Sequence, residues 1–86
     1  MSYFGVAMAD SILTPIEQHV VDFVYKLRIE KNLTQEDIGT IIDVKQTFIA
    51  NIENPKNRSK YNLNHINKLA DHFGLSPQNF LPKMPL

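Results

Sequence analysis

The chain has 86 residues, no cysteine, and nine Lys and Arg against nine Asp and Glu, so its formal net charge is zero. This length suits one small domain, and the missing thiols exclude disulfides and thiolate metal sites. No apolar run approaches the roughly 18 residues that would cross a membrane, and the opening MSYFGVAMA lacks the basic start of a secretory signal, so a soluble, cytoplasmic protein without a membrane partner is expected.

Residues 1–14 read as an N-terminal extension. Thr14-Pro15-Ile16-Glu17 then opens a helix: Thr14 can cap, proline suits the first helical position, and Glu17 completes a capping box. Ile16, Val20, Phe23, Val24 and Leu27 recur at helical spacing, which predicts a first helix over 15–31. Val21, Tyr25 and Ile29 form a second stripe off that face. Thr34, with Asp37 three residues on, starts a second helix near 35–42 carrying Ile38, Ile41 and Ile42. After only Asp43 and Val44, a third helical pattern covers about 46–53, and Pro55 with the polar run behind it ends that pattern. Asn62 can cap a fourth helix whose stripe is Leu63, Ile66, Leu69, Ala70 and Phe73, with Gly74 as its natural stop. Ser76-Pro77 opens a short fifth helix with Phe80 and Leu81, closed by Pro82, and residues 83–86 are a tail. No segment reads as a strand. The expected architecture is one all-α domain of five helices over 15–82.

The third helix has two faces. Phe48, Ile49 and Ile52 gather on one side; Gln46, Thr47, Ala50, Asn51 and Asn54 gather on the other. An idle solvated face is usually rich in Lys and Glu. A face of amides, a hydroxyl and a methyl suits close contact with hydrogen-bonding edges. Gln and Asn donate and accept together, as adenine's major-groove edge requires, and Thr and Ala methyls suit the thymine methyl. Two short consecutive helices, the second with such a face, make a helix-turn-helix. Charge agrees: residues 1–44 hold three cations against seven acids, a net of −4, whereas residues 45–68 hold five cations against one acid, a net of +4. A basic segment inside a neutral chain is a local field, although a solvated loop also carries such charges.

From Val24 to Leu81 the chain resembles the Xre/Cro family of phage-repressor-like DNA-binding domains. The resemblance rests on Lys26-Leu27-Arg28, on Leu33 through Gly39 (LTQEDIG), on Val44 through Asn54 (VKQTFIANIEN), and on Leu69-Ala70, Phe73-Gly74-Leu75-Ser76 and Phe80-Leu81. It implies a repressor-like bundle and a sequence-specific transcriptional regulator of double-stranded DNA. Base reading is expected from Lys45, Gln46, Thr47, Ala50 and Asn51, and phosphate contact from Gln35, Asn54, Lys56, Arg58 and Lys60. The resemblance also implies a structural ion pair between Arg28 and Glu53. Three positions depart from the family: Gly39 where Ala is usual, Asp43 where Gly is usual, and Lys45 where Ser or Thr would cap the third helix.

The resemblance further implies a homodimer, for which MSYFGVAMA, the Val21/Tyr25/Ile29 stripe and Leu81 to Leu86 are candidate surfaces. Alternatives are an antitoxin that binds DNA and a protein toxin, and a protein-interaction module without DNA. Phe48 reads as packing. No nucleophile–base–acid set, phosphate loop or close carboxylate pair marks an enzyme. His65 and His72 lack a third ligand for a metal, and no cofactor is expected.

Overall fold

The computed structural model describes residues 12–86, and three of its four α-helices begin where a side chain satisfies their first amides. Helix α1 spans Pro15–Glu30. The Thr14 N–H donates to Glu17 Oε1 at 2.9 Å, and the Glu17 N–H donates back to Thr14 Oγ1 at 3.4 Å. Helix α2 spans Gln35–Ile42, with the same reciprocal pair between Thr34 and Asp37 at 2.8 and 3.0 Å. Helix α3 spans Gln46–Glu53 and starts from Lys45 without any side-chain cap. Helix α4 spans Leu63–Phe73 behind Asn62, which bonds His65 in both directions.

Three helices end alike. Asn32, Asp43 and Gly74 take left-handed backbones with φ of 58°, 61° and 68°. The amide that follows each one reaches back: Leu33 N–H to Arg28 O, Val44 N–H to Gly39 O, and Leu75 N–H to Ala70 O, at 2.9, 2.8 and 2.8 Å. This closes the last turn and aims the chain into the next element. Glycine serves at only one of the three, because Asn and Asp tolerate the conformation at small cost.

The described residues hold four α-helices rather than five. Pro77–Phe80 is a single 3₁₀ turn, with Asn79 N–H on Ser76 O and Leu81 N–H on Gln78 O. Four residues between Ser76 and Leu81 leave little room for an i→i+4 ladder, so the tighter spacing wins. The described residues form no strand, and no helix among them is long and apolar enough to cross a membrane.

Val24, Ile38, Ile42, Ile49, Leu69 and Phe80 form the centre of the core. Helix α2 packs on α3 and α4, and the 3₁₀ turn bridges α1 and α4. Phe80 is fully buried and meets Phe23 edge to face at 4.7 Å. Truncating such a phenylalanine costs about 3–5 kcal/mol, so this short turn anchors the bundle. The stripes of α1 divide differently from the sequence reading. Val21 is buried with Val20, Val24 and Leu27, whereas Ile16 is 45% exposed. Tyr25 and Ile29 remain exposed, as does Leu63 at the start of α4, and Leu13 is buried before α1 begins. The candidate dimer segment MSYFGVAMA lies outside the described residues.

Candidate nucleic-acid interface

The turn between α2 and α3 sets the site. A Cβ at Gly39 would stand 2.7 Å from the Val44 carbonyl oxygen, a backbone atom that cannot swing away. Glycine therefore lets the turn fold down against α2, and the left-handed Asp43 completes it. Helix α3 leaves this turn with Ile49 and Ile52 buried and Phe48 packed against the core. Lys45, Gln46, Thr47 and Asn51 are exposed, and Ala50 is half-buried beside them.

One of these side chains is held. Gln46 Nε2 donates to Gln35 Oε1 at 2.7 Å, and Gln35 Nε2 donates to Glu53 Oε1 at 2.9 Å. Arg28 donates to both Glu53 oxygens, through Nε at 2.9 Å and Nη2 at 2.8 Å. Its Nη1 also holds the Leu33 carbonyl at 3.0 Å. The Arg28 and Glu53 side chains are only 13% and 10% exposed. Glu53 raises the Arg28 pKa further above its ordinary value, chiefly through their hydrogen bonds.

This relay has a direction. A carboxylate only accepts hydrogen bonds, so Gln35 must turn its amide nitrogen toward Glu53. Its carbonyl then faces Gln46, which must turn an N–H inward. Gln46 is left with its carbonyl oxygen and its second N–H for an outside partner. A largely shielded ion pair thus fixes which atoms an exposed glutamine offers.

The residues expected at phosphates are placed unevenly. Lys56 and Arg58 are exposed and have no ion-pair partner among the described residues. Lys60 Nζ lies 3.1 Å from Glu17 Oε2 at the start of α1. Hydrogen bonds from the Thr14 backbone and then from Lys60 hold the Glu17 carboxyl below its usual range. Gln35 has both ends of its amide engaged in the relay. Asn54 Oδ1 accepts the Lys56 N–H at 3.0 Å, and Asn57 Oδ1 accepts the Ser59 N–H at 2.9 Å, so these asparagines shape the basic loop.

The two glutamine links of the relay, Gln35 to Glu53 and Gln46 to Gln35, and the Lys60–Glu17 pair escaped the sequence reading, which expected only the Arg28–Glu53 pair. A glutamine opens both α2 and α3, eleven residues apart, and that repetition was the available signal for the first. Nothing in the sequence marks the second. No group of three His, Cys, Asp or Glu side chains among the described residues could hold a metal ion.

No curated protein and no solved structure matches the chain. The sequence profile of a helix-turn-helix domain family matches residues 22–83, which include the whole of α2, the turn, α3 and α4. With most of its length matched, the chain belongs to the helix-turn-helix domain family.

Proposed function

We propose that the chain is a sequence-specific double-stranded DNA-binding transcriptional regulator of the Xre/Cro type, acting in the cytoplasm. Helix α3 enters the major groove and α2 crosses the backbone. The observation that carries this reading is the relay from Arg28 through Glu53 and Gln35 to Gln46. It presents a carbonyl oxygen and an N–H side by side, as adenine's N6 and N7 require. Thr47, Ala50 and Asn51 read beside Gln46, with Lys45 at the rim. Lys56 and Arg58 hold phosphates, Asn54 shapes that loop, and Gln35 reaches the backbone chiefly through its helix start. Lys60 contributes to the extent that phosphate displaces Glu17.

In-vitro selection from a random DNA pool tests the proposal, followed by fluorescence polarisation across a salt series. A recovered motif, with affinity falling steeply as salt rises, supports it. No binding even at low salt refutes it and favours a protein-interaction module.

We further infer that the chain works as a homodimer on half-sites about 34 Å apart, or a multiple of that spacing. Ile16, Val20, Leu63, Ile66 and Leu81 line a shallow groove of about 360 Å³ with Tyr61 on its wall. Leu63 is 77% exposed and Leu81 38%, an apolar face of the kind that marks an interaction surface. Sedimentation of the wild type against Leu63→Asp checks this. A monomeric wild type refutes the dimer and leaves the groove to a protein partner such as a toxin.

A further inference from the structure

His65 stands at the third position of α4, where a capping box ordinarily uses Glu or Gln. Here a ring nitrogen takes that part. The Asn62 N–H donates to His65 Nδ1 at 3.1 Å, and the His65 N–H donates to Asn62 Oδ1 at 2.8 Å. An imidazole nitrogen accepts only while it keeps its lone pair; in the imidazolium ion both nitrogens are donors. That half of the capping box therefore exists only for neutral His65.

The same ring supports α3. It meets Phe48 edge to face at 5.8 Å between centroids, and Tyr61 at 6.2 Å. Phe48 follows Thr47 on the helix that carries Gln46, so His65 lies directly behind the outward-facing residues.

We propose that His65 is a positioning residue for α3, holding Phe48 in place while its Nδ1 accepts the Asn62 N–H, so that proton uptake at His65 loosens the recognition helix. Protonation turns the acceptor into a donor aimed at another donor. It also places a cation at the start of a helix, where the backbone dipole is already positive. The surroundings act in the same sense: burial, and then the Lys68 charge, hold the His65 pKa below its ordinary value. Helix α3 faces the ring with Phe48, and the preceding loop faces it with Tyr61. Burial keeps that phenol neutral by raising its pKa. Helix α2 and the 3₁₀ turn also pack on α4, and the charge that lowers the His65 pKa is Lys68 of α4 itself. A histidine with a depressed folded pKa adds stability that is present above its unfolded pKa, about 6.5, and fades as pH falls below it.

The consequence for DNA rests on the function proposed above, so the experiment has two arms. In the first, the full-length protein without DNA is titrated by NMR from about pH 8 to about pH 5. The Phe48 ring protons and the Thr47 and Ala50 amides are expected to move with the midpoint of His65. Signals that stay fixed, or that follow another midpoint, overturn the proposal. In the second, wild type and His65→Gln are compared on the duplex recovered by selection. Glutamine can reach back to the Asn62 amide and does not titrate. The two proteins differ only at residue 65, so any other effect of acidification cancels in the ratio. Wild-type affinity is expected to fall several-fold relative to the variant on acidification; a constant ratio overturns the proposal. Coupled NMR signals with no duplex bound at any pH would remove the DNA reading and leave the coupling of His65 to α3 standing.

Discussion

Glu53→Ala removes one carboxylate and three hydrogen bonds at once: two from Arg28 and one from Gln35. Breaking one side of a buried ion pair costs about 3–5 kcal/mol. Arg28 keeps its bond to the Leu33 carbonyl and 13% of its side-chain surface, so the guanidinium retains some hydration, and about 2–4 kcal/mol is the better figure here. A domain of this length holds about 4–13 kcal/mol in all, so the variant is a large fraction of the way to unfolding. With an m-value of about 1 kcal/mol/M in urea, the midpoint should drop by about 2–4 M. Far-UV circular dichroism during urea titration measures that drop, and a shift under about 0.5 M would refute the reasoning. The double variant Arg28→Met/Glu53→Leu separates structure from function. Replacing both ions with apolar groups should restore most of the stability. It should not restore DNA affinity, because Gln35 has lost the acceptor that orients it. Full recovery of both would show that the relay does not organise Gln46.

Four further outcomes are expected. Gln46→Ala should cost about 1–3 kcal/mol on the preferred duplex and relax preference at one base pair; Gln35→Ala should affect that same base pair, and a binding-site selection with each variant checks both. Lys56→Ala should weaken all duplexes alike and reduce the salt slope by about one unit, whereas Lys60→Ala should change the slope less, since Glu17 already neutralises that cation; polarisation across a salt series distinguishes them. Gly39→Ala gains about 1 kcal/mol of helix propensity, but its Cβ meets the Val44 carbonyl, and overpacking of about 1–3 kcal/mol should leave the variant less stable or no better in thermal melts. The Tyr61 hydroxyl is buried without a hydrogen-bond partner among the described residues, so Tyr61→Phe should leave stability unchanged or raise it by about 1 kcal/mol in the same melts.

Much of the fold was legible because helix starts are local. Thr14 with Glu17 and Thr34 with Asp37 each close a bond across three residues, so both partners stand together in the chain. Pro15 and Gly74 mark a start and a stop for the same reason. The left-handed Asn32 was missed, since asparagine signals this conformation less strongly than glycine does. The fifth helix was overread, because a cap and two prolines bound a segment without deciding between 3₁₀ and α.

The outward face of α3 could be drawn on a helical wheel, since 3.6 residues per turn place Thr47 and Ile49 on opposite sides wherever the helix sits. What each side chain does there needed the tertiary structure. Arg28 and Glu53 are 25 residues apart, Gln35 and Glu53 are 18, and Gln35 and Gln46 are 11. Lys60 finds Glu17 only because the loop before α4 folds back on the start of α1. Val21 is buried and Ile16 exposed because the placement of neighbouring elements, not periodicity, chooses between two apolar stripes. By itself the sequence determined where helices begin and which faces they have, since those follow from bonds spanning one turn. Only the packed bundle decided which charges are occupied, which glutamine atoms face outward, and how closely the Val44 carbonyl approaches residue 39. Those outcomes depend on distances between segments that the chain's local chemistry does not set.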